Sequence, residues 1–282
     1  MNNTAQYQNN KAVIQISIIM AIVVGLVACI QPARPQWSDM EGAEHRSHAN
    51  RMRDEYRHPS ETLAFFDVEP CHTVVEIWPG GGWYTEILAP VLRSCGALYA
   101  AHFDPNSDVS FFTKSLAGYK EKLAQYPRIY DAVRLSVLQP PKFTRMISPG
   151  TADRVLTFRN VHNWLKAGTA DAVFASSFEA LKPGGVFGVV EHRARVGARD
   201  EDMISSGYVT EQKVIELAKK AGFKLVARSE INANLLDETG YPKGVWTLPP
   251  SLRLGEQDKM KYLAIGESDR MTLKFIKPGA AL

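Results

Sequence analysis

Short apolar runs rich in β-branched residues alternate along the chain with longer stretches whose charges fall on one face. The runs at 73–78, 97–101, 132–137, 154–158, 186–191, 223–229 and 271–276 have strand length, and the third is the weakest. The stretches at 83–92, 109–126, 170–181 and 210–221 read as helices. Thr210 suits an N-cap, while Lys182-Pro183-Gly184-Gly185 and Gly222 are stop signals. Strands and helices in alternation predict an α/β fold, with a doubly wound, mostly parallel seven-stranded sheet and helices on both faces. Upstream, 39–56 is charged and reads as helical, and Pro59-Ser60 opens a helix into Glu61-Thr62-Leu63-Ala64-Phe65-Phe66. No clear helix separates the last two strands. Instead 232–268, with Pro242, Gly244, Pro249 and Pro250, forms a connection long enough to be functional and to lid a ligand site.

The first 29 residues do not fit this pattern. Residues 12–28 are almost wholly apolar, interrupted by Gln15, Ser17 and Gly25. That is the length of a long signal-peptide core and the short limit for a spanning helix. The stretch ends in Leu26-Val27-Ala28-Cys29, which resembles the lipobox of bacterial lipoproteins. The resemblance implies cleavage after the small Ala28 and acylation of the Cys29 thiol; an uncleaved anchor is the alternative. Ile30 in place of Asp favours the outer membrane, and 31–37 with its two prolines reads as a tether. The expected division is a signal or anchor at 1–29, a tether and N-terminal helix at 30–53, and the α/β domain at 54–282. On this reading the protein is exported to the periplasm and membrane-anchored.

Composition narrows the function classes. A chain of 282 residues with 45% hydrophobic and 22% charged residues can bury a sizeable core. The net charge of +3 and scattered Lys and Arg argue against nucleic-acid binding. The seven His residues lack a spacing such as His-Glu-x-x-His, so no metal site is expected. The absence of Gly-x-Ser-x-Gly argues against a hydrolase, and that of Gly-x-Gly-x-x-Gly against a nicotinamide site.

The clearest candidate chemistry is Glu76-Ile77-Trp78-Pro79-Gly80-Gly81-Gly82-Trp83-Tyr84, at the end of one predicted strand and before a helix. Glycines let a ligand approach the backbone, and the helix N-terminus adds free N–H groups. In a doubly wound sheet ligands sit at the carboxyl ends of the strands. This stretch resembles the first motif of class I S-adenosylmethionine-dependent methyltransferases. Asp153 to Trp164, including Arg159-Asn160-Val161-His162, resembles their fourth-strand motif and following loop. Ala180-Leu181-Lys182-Pro183-Gly184-Gly185-Val186-Phe187 resembles the entry to the fifth strand, and 211–223 the helix before the sixth. The match spans about 57–277 and is nearest to uncharacterised bacterial methyltransferases. Two positions depart from the pattern. Trp78 stands where the first motif glycine is usual, and His102 where a ribose-binding acid is usual, with Asp104 two positions later.

The resemblance implies a Rossmann-like fold and S-adenosyl-L-methionine as cofactor, held by Glu76, Pro79, Gly80, Gly81, Gly82, Tyr84, His102 and Asp104. It places Arg159, Asn160 and His162 beside the transferred group. Arg159 would hold an acidic group, Asn160 orient an amine or hydroxyl, and His162 act as a general base. Glu191-His192-Arg193 is a second acid/base candidate, and Arg57-His58 is a candidate to reach over the site. The implied activity is methyl transfer to an unidentified small molecule. The alternatives are an exported ligand-binding protein that keeps the fold without transfer, and an enzyme of another class. Trp246 and Arg253 in the long connection are candidates for selecting the substrate. In the implied fold the first two strands are parallel neighbours, which puts Cys71 and Cys95 together at the sheet's amino-terminal edge. Export would permit a disulfide there; two small buried thiols are the alternative.

Overall fold

The computed structural model describes residues 42–279, all within one compact unit, Pro35–Leu282. The signal, lipobox and tether lie outside the described residues. In order, the chain forms α1 (Pro59–Phe65), β1 (Thr73–Ile77), α2 (Thr85–Leu92), β2 (Ala97–His102), α3 (Ser110–Gln125), β3 (Arg134–Val137) and β4 (Ala152–Phe158). Then come α4 (Val161–Lys166), α5 (Ala170–Ala180), β5 (Leu181–His192), α6 (Asp200–Ser206), α7 (Glu211–Lys220), β6 (Lys224–Ser229), α8 (Lys259–Ile265) and β7 (Arg270–Ile276).

The sheet order is β3-β2-β1-β4-β5-β7-β6. The first five strands pair in parallel, whereas β7 runs antiparallel to both β5 and β6. The mostly parallel seven-stranded sheet therefore stands, with an antiparallel pair at one edge. A parallel β6–β7 step would need a crossover, usually a helix packed on the sheet. The connection does hold a helix that the sequence pattern did not show, α8, but it is only seven residues long, and the chain turns back to run β7 antiparallel.

Alternate residues of each strand feed two cores. Val75, Ile77, Val155 and Phe187 pack with Trp164 and Phe174, while Val74, Leu98 and Leu156 pack with Leu63, Phe66 and Leu88. Burial on both faces explains why β1 reads as an unbroken apolar run around Glu76. Thr210 caps α7 as expected, its hydroxyl accepting from the Lys213 N–H at 3.2 Å.

The helix expected over 39–56 is not continuous in its described part. It is a single turn at His48–Arg51 followed by a 3-10 turn at Asp54–Tyr56. The charges that suggested a solvated helix are instead tied individually to the domain. The buried Arg46 guanidinium bonds both oxygens of Asp54 at 2.7 and 2.8 Å and reaches Glu86 of α2 at 3.3 Å. Asn50 bonds Glu86 at 2.8 Å, and its carbonyl accepts from the Trp83 indole at 3.0 Å.

Cys71 and Cys95 are joined in a disulfide, with Cα atoms 4.7 Å apart, at the amino-terminal edge of β1 and β2. Gly96 follows, and a Cβ there would lie 2.4 Å from the Pro70 carbonyl oxygen, so the bridge sits where the two strand entries touch. The bridge spans 24 positions. Replacing both cysteines by serine is expected to lower unfolding free energy by about 3 kcal/mol, from the loop entropy restored to the unfolded chain. Urea titration of the two proteins measures this; coincident curves would mean that the bridge constrains nothing.

Candidate functional site

The turn after β1 is built around a strained residue. Trp78 has φ 47°, a left-handed value that is uncommon for a bulky side chain. Three sets of hydrogen bonds hold it. Its N–H donates to the Ala101 carbonyl at 2.9 Å, and its indole N–H to the Leu138 carbonyl at 2.8 Å. The Asn160 amide donates to the carbonyls of Ile77 and Trp78 at 3.0 and 3.4 Å, and to the Thr157 hydroxyl at 3.2 Å. Asn160 thus ties the end of β4 to the β1 turn through its NH2 group, while it also lines the cavity described next.

The three glycines divide by role. A Cβ on Gly80 (φ 58°) or Gly81 would meet no atom within 4 Å, so both face open space. A Cβ on Gly82 (φ 75°) would lie 3.0 Å from Tyr119 and Lys122. Gly82 is therefore needed for close packing of α3 and does not line the site.

Beyond the turn lies a cavity of about 320 Å³ over the carboxyl ends of β1, β4 and β5. That is near the lower bound for small-ligand sites. Of the residues singled out from the sequence, Glu76, Pro79, Gly80, Gly81, Tyr84, Arg159, Asn160 and His162 line it, as do Arg57 and His192. The long connection contributes Trp246, Pro249 and Pro250, so it does cover the site; Arg253 lies over the Trp246 ring at 4.6 Å.

His102 and Asp104 are not brought to this cavity. His102 is fully buried, its Nδ1 accepts from the Phe103 N–H at 2.9 Å, and burial pushes its pKa down to about 4. Asp104 caps its own turn, accepting from the Asn106 N–H at 3.0 Å, with Lys142 at 3.4 Å. The Trp78 indole, which also lines the cavity, packs on Phe103, Phe112 and Trp164 at centroid distances of 4.7, 6.1 and 5.9 Å. Arg193 also points elsewhere, into ion pairs with Asp269, Glu230 and Glu211.

The cavity gains residues that local sequence did not single out. Arg53 and Arg270 line it, and Glu267 ties them together. One Glu267 oxygen accepts from Arg53 at 2.5 Å; the other accepts from Arg57 at 3.1 Å and from Arg270. Burial alone would raise the Glu267 pKa, but Arg270, Arg57 and Arg53 overcome it and hold the carboxyl well below the usual range. Arg53 and Arg57 lie more than 200 positions from Glu267 in the chain, so only the fold brings them to it. The antiparallel β7 register, which sets Arg270 opposite His192, completes the arrangement.

A second group is His162, Glu191 and His192. His162 Nδ1 lies 3.0 Å from a Glu191 oxygen, and both carboxylate oxygens also accept backbone N–H groups, from His162 and His192. His192 Nδ1 is 2.5 Å from the Ser268 hydroxyl. Burial, then the neighbouring His162, Arg270, Arg159 and Arg57, drive the His192 pKa well below its ordinary value, so this ring is neutral at pH 7. Ligand atoms of the three lie within 4.8 Å of one another and could meet around a metal ion. The spacing rule used on the sequence missed this group because its members come from α4 and β5. The same guanidiniums that press on His192 oppose a dication there.

No family model matches the sequence, and no curated protein matches it. Solved structures do share its fold. A S-adenosylmethionine-dependent methyltransferase from Aquifex aeolicus superposes with a TM-score of 0.54 at 14% identity, covering 80% of this chain and 92% of that one. Phosphoethanolamine N-methyltransferase 2 from Haemonchus contortus, solved with S-adenosyl-L-methionine, gives 0.53 at 16% identity over 79% of this chain and 53% of its own. The [4+2]-cyclase SpnF gives 0.52 at 14% identity over 79% and 80%. These likenesses establish the fold, which hosts more than one kind of reaction.

Glu76 yields a prediction from its burial. It is 2% exposed, and burial raises its pKa to about 7 against the opposing Thr85 hydrogen bond (2.6 Å) and the Lys122 charge. A raised folded-state pKa means that this residue's contribution is full below pH 4.5 and is lost as pH rises through 7. By linkage the loss is about 3 kcal/mol. Glu76→Gln keeps the acceptor for Thr85 and removes the titration. The variant is expected to gain on the wild type between pH 5 and 8 in denaturant midpoints; parallel pH profiles would contradict the burial argument.

Proposed function

We propose that the chain is a S-adenosylmethionine-dependent methyltransferase acting on a small-molecule acceptor in the cavity over β1, β4 and β5. The observation that carries this is the turn after β1. Gly80 and Gly81 present bare backbone to the cavity, ahead of α2 and in a fold shared with a protein of that activity. Bound there, the cofactor would supply an electrophilic methyl group, whose transfer needs alignment more than acid or base.

The residues fit one end of such a cofactor better than the other. On the β1–β4 side, the Gly80-Gly81 backbone and the polar wall formed by Arg57 and Arg159 suit a charged amino-acid end. On the β2–β3 side the Trp78 indole, bonded to the Leu138 carbonyl and packed on Phe103, narrows the room for a nucleoside. His162 is the chain's candidate acceptor base. With Nδ1 donating to Glu191, Nε2 is the ring atom left to take a proton. The closed β2–β3 side favours a second reading, a ligand-binding protein that keeps the fold and does not transfer methyl groups.

Isothermal titration of the full-length protein, in non-ionic detergent, with S-adenosylmethionine and S-adenosylhomocysteine tests both. Binding followed by methylation of a compound in an acceptor panel is the expected result. Binding without turnover favours the second reading, and no binding of either compound overturns the first.

The setting we propose is the periplasmic face of a membrane, with anchorage through Cys29. Its support is the apolar stretch ending in Leu26-Val27-Ala28-Cys29 together with the Cys71–Cys95 bridge, which an oxidising compartment permits. Among the described residues no helix is long and apolar enough to cross a membrane. Intact mass of protein extracted from membranes is expected to show a chain starting at an acylated Cys29. Retention of the first 28 residues would favour an uncleaved anchor.

A further inference from the structure

We infer that the cavity contains a dedicated oxyanion subsite, formed by Arg57, Arg159 and Arg270, that takes a carboxylate or phosphate group of the ligand. The inference rests on the cavity being the ligand site and not on methyl transfer.

Charge imbalance is the first argument. Four guanidiniums, of Arg53, Arg57, Arg159 and Arg270, line one wall. Glu267 is the carboxylate that answers them, and it is shared among Arg53, Arg57 and Arg270. Glu191 is taken up by His162 and by two backbone N–H groups. The wall therefore carries more positive charge than its carboxylates neutralise, in a place screened from water.

Unused donors are the second argument. Arg57 is 3% exposed and Arg270 2%. Arg57 Nη2 and Arg270 Nε are buried without a hydrogen-bond partner in the chain. Guanidinium hydrogens buried in this way are normally satisfied. The Arg57 guanidinium also packs over the Trp83 ring, its carbon 4.7 Å from the ring centroid, and its position is held further by the bond to Glu267, which favours fork-like recognition of an oxyanion.

Arg159 is the third. It makes no side-chain hydrogen bond among the described residues, and its backbone is left-handed at φ 62°. Its N–H donates to the Val190 carbonyl at 2.7 Å, which holds the strained turn at the end of β4. Strain kept at a position whose side chain lines a cavity marks a functional constraint. Burial first, then the Arg270 charge, lower the Arg159 pKa to about 10, so the group remains a cation at pH 7.

The test uses full-length protein in non-ionic detergent, without S-adenosylmethionine, at matched ionic strength. Inorganic phosphate and malonate are titrated calorimetrically against chloride. Saturable heat from phosphate assigns a tetrahedral oxyanion, and from malonate a planar one; either supports the subsite. Arg159→Gln is expected to weaken that binding at least ten-fold while leaving the melting temperature unchanged or higher. Arg93→Gln, which removes an exposed pair with Asp131, is expected to bind as the wild type does. Should Arg159→Gln fail to fold, Arg159→Lys keeps the charge, loses the fork and is expected to bind several-fold more weakly. Heats indistinguishable from chloride, or unchanged affinity in the Arg159 variant, would overturn the subsite. Saturating S-adenosylmethionine then separates the sources: competition assigns the subsite to the cofactor's carboxylate, and independence to the acceptor. Phosphate binding in a protein that ignores S-adenosylmethionine would sink the methyltransferase reading and leave the subsite standing.

Discussion

The Glu267 carboxylate is the point on which the carboxyl end of this sheet turns. It is 2% exposed and binds guanidiniums from the N-terminal segment (Arg53, Arg57) and from β7 (Arg270). Burying a carboxylate is expensive, and close pairing offsets the penalty only when its remaining lone pairs are also satisfied. Both oxygens here are engaged. The consequence is architectural: the segment before α1 is drawn over the ends of β1 and β4 and becomes a wall of the cavity. Arg270 in turn bonds the Tyr56 carbonyl at 2.8 Å, so the same segment is held twice. Removing Glu267 would release the wall and leave several buried cations facing one another.

Much of the fold was legible because it depends on local regularities. Strand runs, helix faces, the Thr210 cap and the Gly222 stop each follow from period, capping or φ, and the strands and helices fall within a few residues of where the pattern puts them. The glycine turn, Glu76, Arg159 and His162 were legible for a similar reason, since they end strands whose order implied a common edge. What could not be read depended on distant charge. The stretch 39–56 has helical composition, but Arg46 and Asn50 find partners on α2, and those bonds favour two short turns over one helix. Arg53, Arg270 and Glu267 carry no local signature. Their meaning appears only when antiparallel β7 sets Arg270 beside His192.

Asn160 shows a different limit. Its place just beyond β4 suggested a group that orients a substrate. Its amide is instead spent on the Ile77 and Trp78 carbonyls. A short polar side chain at a strand end can either meet a ligand or satisfy neighbouring backbone, and the two are indistinguishable without the partner strand. Here the structural use has a functional effect, because it holds the turn that exposes Gly80 and Gly81.

Trp78 and the arginine wall bear on the same question from opposite sides. A nucleoside-bearing cofactor needs apolar room over β2 and β3, and the indole occupies it with a hydrogen bond to Leu138 and three aromatic neighbours. Moving a side chain so well held costs the bond and the packing. An anionic group needs none of that room. The guanidiniums that would meet it, of Arg57, Arg159 and Arg270, already line the cavity. The end of the ligand that the chain is prepared to meet without rearrangement is therefore its charged end.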